Sequence, residues 1–73
     1  MTVWCRQVTE GEPDQSYPIA PHGPDQSDED LLRAKADGAA DKGWDVTWAS
    51  PSEFSASKDR WGGVRCTRYF WIE

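Results

Sequence analysis

The segment SDEDLLRAKADGAADKGWDVTW, residues 27–48, combines the start and stop signals of a helix with the alternation of a strand. Ser27 can cap a helix, and the three acids after it place negative charge at the positive end of the helix dipole. Lys42 suits the last turn, and Gly43 suits the left-handed position that commonly ends a helix. The segment therefore predicts a helix between Ser27 and Gly43.

The apolar face of this helix is small. It consists of Leu32, Ala36, Ala39 and Ala40, with Leu31 nearby. A helix with so small a face must lie close to bulky side chains, because large rings interdigitate well with alanines. The segment WDVTW (44–48) supplies them, since strand alternation places Trp44, Val46 and Trp48 on one side.

Two further segments have strand composition. The first, TVWCRQVT (2–9), is rich in β-branched and aromatic residues and ends at a turn-forming EGEPD. The second, VRCTRYFWIE (64–73), is the most apolar and follows DRWGG (59–63), a hairpin turn in which two glycines can adopt positive φ. Between them, FSASK (54–58) continues or restarts the strand at 44–48.

The order β-α-β-β predicts one small α+β domain that spans residues 1–73. A right-handed crossover would make the first two strands parallel, and the last strand would lie between them, antiparallel to both. We therefore expect a three-stranded mixed sheet with the last strand central and the helix packed on one face. The five Trp, two Tyr and two Phe are expected to form most of the core.

Residues 10–27 interrupt this pattern with a long stretch that contains four prolines and two glycines. It is predicted to be an irregular loop, and the repeated PDQS at 13–16 and 24–27 is predicted to mark two turns. The apolar part consists of Tyr17, Pro18, Ile19 and Pro21, and it is expected to cover the open face of the sheet. The alternative is a mobile loop that leaves this face open.

Alternation along the first and last strands defines the two faces of the sheet. Val3, Cys5, Cys66 and Phe70 belong under the helix. Arg68 falls on the same face and must either lie at its edge or extend its charged end past it. The opposite, open face carries aromatic and arginine side chains, which are enriched in binding hot spots. The candidate partner-binding residues are Trp4, Arg6, Arg65, Tyr69 and Trp71 on this face, together with Trp61 at the tip of the hairpin.

The net charge of −5 is distributed unevenly along the chain. Residues 1–43 contain nine acids and four bases, whereas residues 44–73 contain four of each. Such a field repels phosphate backbones and disfavours duplex nucleic acid. Because the domain is acidic and has no RNP-like motif, we expect the partner to be another protein. Two alternatives stay open. The carboxylates of the first loop and of the helix start (Asp28, Glu29 and Asp30) could mimic nucleic acid for a basic partner, or Trp4, Tyr69 and Trp71 could stack single-stranded bases.

No motif indicates an enzyme, a cofactor or a metal site. The only histidine, His22, lies between two prolines and next to a glycine, which is typical of a solvated loop. Cys5 and Cys66 are expected to be buried, reduced thiols, because a cytosolic chain seldom forms disulfides. We therefore expect a non-enzymatic binding or regulatory module, and the oligomeric state stays open.

The sequence has no apolar run long enough to cross a membrane, and its first residues lack the pattern of a secretory signal. It is therefore expected to be cytoplasmic. Asn is absent and Arg outnumbers Lys, a bias that favours a GC-rich bacterial or phage gene.

Overall fold

The computed structural model describes residues 1–21, 23 and 25–73, with the side chain of Trp61 excepted. This part of the chain forms five strands and one α-helix. In chain order they are β1 Val3–Thr9, β2 Gln15–Ile19, α1 Asp28–Asp41, β3 Asp45–Ser50, β4 Glu53–Asp59 and β5 Arg65–Ile72. A 3₁₀ turn, Trp61–Gly63, joins β4 to β5.

The strands form one antiparallel sheet in the order β2-β1-β5-β4-β3. The domain is α+β, and the last strand is central, but the prediction of a three-stranded mixed sheet is wrong. One reason is that residues 53–59 form a separate strand, β4, between β3 and β5. β4 is antiparallel to both of its neighbours, so β3 runs parallel to β5. Because β5 is antiparallel to β1, β3 is antiparallel to β1 instead of parallel to it.

The second reason is the additional edge strand β2. Residues 15–19, expected to belong to an irregular loop, pair with β1 in an antiparallel hairpin. Pro18 is tolerated there because an edge strand needs only one of its sides for hydrogen bonding. The two PDQS copies thus have different structures: residues 15 and 16 enter a strand, whereas Ser27 caps a helix.

The ends of α1 follow local chemistry, as predicted. The Ser27 hydroxyl oxygen accepts a hydrogen bond from the Asp30 amide at 3.1 Å. At the other end Gly43 has a φ of 86°, and the amides of Gly43 and Trp44 donate to the carbonyls of Ala40 and Ala39. These two bonds form a Schellman motif, which satisfies carbonyls that the helix leaves free.

The core lies between α1 and one face of the sheet. Its buried members are Val3, Cys5, Leu31, Leu32, Ala36, Phe54, Ala56 and Phe70. The rings of Phe54 and Phe70 stack at its centre, with centroids 4.6 Å apart and planes 11° apart. The expected tryptophan core is absent from the described side chains, because Trp4, Trp44 and Trp71 are only half-buried and Trp48 is 44% exposed. The helix buries Leu31 fully and exposes Ala40, a small rotation from the predicted face.

Candidate functional site

The candidate site is the face of the sheet opposite α1. Its centre is built from alternate residues of β1 and β5, which are directly cross-paired as Trp4 with Trp71 and Arg6 with Tyr69. Directly opposed residues in an antiparallel pair point to the same face. Three aromatic rings and one guanidinium therefore share the surface that we call the open face.

The rings on the open face differ in exposure. Tyr69 is 41% exposed, whereas Trp4 and Trp71 are half-buried. The Trp71 indole Nε1 donates a hydrogen bond to the Glu73 Oε2 at 3.1 Å. This bond satisfies the indole N–H, so another molecule can cover the apolar ring without leaving that donor unpaired.

A concavity of about 570 Å³ lies beside these rings. Its lining residues come from β1, β5, the start of β4 and the segments that precede β2 and β4: Arg6, Val8, Asp14, Ser52, Glu53, Tyr69, Trp71 and Ile72. Two of these residues are acids. Asp14 precedes β2 on one side of the rings, and Glu53 begins β4 on the other side. The concavity therefore combines an aromatic floor with carboxylates at its rim.

Both arginines of the open face are already paired within the protein. Arg6 forms an ion pair with Asp14, and the pKa of Arg6 is raised chiefly by that hydrogen bond. The Arg65 guanidinium contacts the Asp59 carboxylate at 3.2 Å and the Ser57 hydroxyl at 2.9 Å. An anionic ligand would therefore compete with carboxylates for both guanidinium groups.

The expected cover over the open face is wrong. In the β1–β2 register, Cys5 lies opposite Tyr17 and Val3 lies opposite Ile19. Tyr17 and Ile19 consequently point to the helix side of the sheet, where Ile19 packs against the core. Pro21 is exposed, and His22 falls outside the described residues. Pro18 lies opposite Trp4 and is exposed, so residues 17–19 extend the sheet at its edge and do not fold across the aromatic face.

The hairpin between β4 and β5 has the predicted turn. Gly62 and Gly63 have φ values of 84° and 79°, which a residue with a Cβ adopts only with strain. The backbone of Trp61 begins this turn. Its side chain lies outside the described residues, so its role as a candidate anchor stays a prediction.

Sequence reasoning missed the acids at the rim. Glu53 lies opposite Trp71 in the β4–β5 register, and Asp14 reaches Arg6 from the β1–β2 turn. The alternation in FSASKD was the signal available for β4, because Phe54 and Ala56 are buried whereas Ser55 and Ser57, which alternate with them, are not. A strand with this pattern presents small polar side chains on the open face.

The two cysteines are buried, reduced thiols, as predicted. Cys5 lies opposite Phe70, four residues along β5 from Cys66. The separation along the strands is roughly 13 Å, well beyond the reach of a disulfide. Burial raises the pKa of the Cys5 thiol, and a hydrogen bond with Tyr17 acts in the opposite direction. The same bond, with burial, raises the pKa of Tyr17.

These pKa shifts predict that the protein loses stability at alkaline pH. Above the ordinary thiol pKa of about 8.5, the unfolded chain releases a proton that folded Cys5 retains, so the free energy of unfolding falls with rising pH. Tyr17 adds to the fall above about pH 10. Urea unfolding at neutral pH and at about pH 10 measures this effect. We expect Cys5→Ala to reduce the difference between the two pH values.

The control is Cys66→Ala, which removes the other buried thiol from the same sheet. A wild-type free energy of unfolding that is equal at both pH values would contradict the prediction.

No protein-family model matches this sequence, and none of the curated proteins is detectably similar to it. Among the residues with described positions, no three His, Cys, Asp or Glu side chains are grouped so that they could hold a metal ion. The helix of the described chain is too short and too polar to cross a membrane.

Proposed function

We propose that the protein is a non-enzymatic binding module whose open face takes up a segment of another protein. The observation that supports this proposal is the uncovered group of Trp4, Tyr69 and Trp71 beside a concavity of about 570 Å³. Tyr and Trp supply large contact areas at low cost in conformational entropy. A surface of this kind in a small domain is suited to anchor one or two side chains of a partner.

The charges around the rings favour a polypeptide over a nucleic acid. Arg6 and Arg65 are each neutralised by a carboxylate, and Glu53 and Glu73 lie at the end of the face where the tryptophans are. Affinity for single strands depends on free cations along the phosphate backbone. The open face instead complements an apolar or aromatic segment flanked by Lys or Arg.

The thiols are consistent with a reducing compartment. Cys5 and Cys66 are buried and too far apart to form a disulfide with each other. Disulfides are common in small secreted domains and rare in the cytosol. We therefore propose that binding takes place in the cytoplasm.

A peptide selection tests the binding proposal. A displayed library of random peptides is selected on the immobilised wild-type protein and then counter-screened on Tyr69→Ala. We expect enriched peptides to contain an aromatic or leucine residue next to a base, and to lose at least about tenfold in affinity on Tyr69→Ala. Amide chemical shifts in β1 and β5 then locate the peptide on the protein.

Tyr17→Ala is the matched control. Tyr17 and Tyr69 are each 41% exposed, but they lie on opposite faces of the sheet. Peptides that lose affinity equally on both variants would contradict binding by the open face. Peptide binding that depends on the acids at the start of α1 would favour the nucleic-acid mimic, and saturable quenching of Trp fluorescence by oligothymidylate would favour single-strand binding.

A further inference from the structure

A second concave region lies on the other side of the sheet, between the C-terminal half of α1 and strands β4 and β5. Its volume is about 220 Å³. The lining residues are Ala34, Lys35, Gly38, Ala39, Lys42, Trp44, Ala56, Arg68 and Phe70. Three of them are bases and none is an acid, although acids outnumber bases by 13 to 8 in the whole chain.

Of the three bases, Arg68 is the one that lies on the sheet. It points to the helix face of the central strand, directly opposite Ala56 of β4. Its guanidinium lies over the Trp44 ring, 4.9 Å from the centroid. The Arg68 Nε is buried and has no hydrogen-bond partner among the described residues. A buried donor without a partner is costly, and such a group needs an acceptor.

Two lysines line the same cavity. Lys35 is half-buried on α1, and Lys42 follows the last residue of the helix. Within the described part of the chain, neither ammonium and no nitrogen of Arg68 forms an ion pair with a carboxylate. Three like charges around one concavity repel one another, and an anion between them would relieve that repulsion.

The end of the helix does not oppose an anion as strongly as its dipole would suggest. The carbonyls of Gly38, Ala39 and Ala40 accept backbone hydrogen bonds within the terminal turn. The Lys42 carbonyl accepts a bond from the Lys58 Nζ at 3.0 Å. These four carbonyls are therefore satisfied. Small side chains leave space beside them, and a Cβ added at Gly38 would meet no atom within 4 Å.

We propose that this cavity binds a small phosphate monoester. A doubly charged phosphate group matches one guanidinium and two ammonium groups better than a singly charged carboxylate does. The rings of Trp44 and Phe70 provide apolar walls for a short carbon chain. The cavity is smaller than the roughly 300–1,000 Å³ of sites for drug-sized ligands, so the ligand has only a few carbon atoms.

An NMR titration with inorganic phosphate and with glycerol 3-phosphate tests this proposal at constant ionic strength. We expect saturable shifts of the Trp44 indole and of the Arg68 amide, with tighter binding of the ester because its carbons contact the apolar walls. Acetate at the same ionic strength is expected to leave these signals in place. Phosphate should also raise the Tm, because a ligand that binds only the folded state stabilises it.

Arg68→Gln and Arg65→Gln form the matched pair of variants. Both positions lie on β5, but Arg68 points to the cavity and Arg65 points to the open face. We expect at least about tenfold weaker phosphate binding in Arg68→Gln and an unchanged affinity in Arg65→Gln. If Arg68→Gln fails to fold, Lys35→Gln on the helix surface gives the same comparison.

Three results would overturn the phosphate site: shifts that do not saturate, shifts centred away from the cavity, or equal affinities in the two variants. This test is independent of the proposed peptide binding, because Arg68 and Lys35 line the cavity on the helix side of the sheet and Tyr69 lies on the open face.

Discussion

Replacement of Phe54 by alanine is expected to remove most of the stability of the protein. Phe54 is 1% exposed, its ring stacks on Phe70 at 4.6 Å, and Trp48 packs on it at 4.9 Å. It therefore joins three neighbouring strands, β3, β4 and β5. Truncation of a buried phenylalanine to alanine costs about 3–5 kcal/mol.

The size of the domain makes this loss severe. At about 0.05–0.15 kcal/mol per residue, 73 residues correspond to a total stability of about 4–11 kcal/mol. Urea unfolding followed by circular dichroism and Trp fluorescence measures the change. Tyr69→Ala is the control, because it removes a ring of similar size from the exposed face of β5 and should cost far less. Equal midpoints for the two variants would contradict the described core.

Replacement of Trp71 by alanine is expected to have the largest effect on binding. Trp71 lies on the central strand, opposite Trp4, and it lines the concavity together with Tyr69. Central aromatic anchors in binding sites commonly contribute at least about 2 kcal/mol, which corresponds to roughly 30-fold in affinity. A peptide selected on the wild-type protein should therefore lose roughly 30-fold or more on Trp71→Ala.

Isothermal titration calorimetry of wild-type protein, Trp71→Ala and Tyr17→Ala measures this loss. Circular dichroism must show the same strand and helix content in all three proteins. We also expect Glu53→Gln to weaken binding of basic peptides at low salt, because the carboxylate lies opposite Trp71 in the register. A Trp71→Ala variant that is folded and retains wild-type affinity would remove the open face as the binding surface.

The two proposed sites can be tested separately, although both use side chains of β5. Trp71 and Tyr69 on β5 point to the open face, whereas Arg68 and Phe70 point to the helix side. Because side chains alternate along a strand, substitutions within residues 68–71 can alter one site and leave the other unchanged. A loss of peptide binding without a loss of phosphate binding, and the reverse, would show that the two faces act independently.

Features that depend on neighbours in the chain could be predicted from the sequence. Ser27 and Gly43 were predicted as the helix cap and the left-handed terminal residue, because caps act on amides and carbonyls within one turn. The inward direction of Val3, Cys5 and Phe70, and the placement of Arg68 on the same face, followed from strand alternation. These are local consequences of backbone geometry.

The main error of the sequence-based prediction concerned β2 and β4. Both strands depend on pairing with other segments of the chain. Residues 15–19 contain Pro18 and have little strand character of their own, and they form β2 because the edge of β1 is available to them. β4 contains three polar residues between Phe54 and Asp59, and it is stabilised by β3 on one side and β5 on the other. Strand propensity depends on such neighbours more than helix propensity does.

The sequence by itself determined the ends of α1, the alternation of β1 and β5, and thereby the side chains of the open face. The tertiary structure alone decided the strand order, the removal of Tyr17 from that face, and the gathering of Lys35, Lys42 and Arg68 around one cavity. The physical reason is the distance along the chain over which each interaction acts. Caps and alternation act over a few residues, whereas sheet order and cavities arise from packing between segments whose contacts no local pattern encodes.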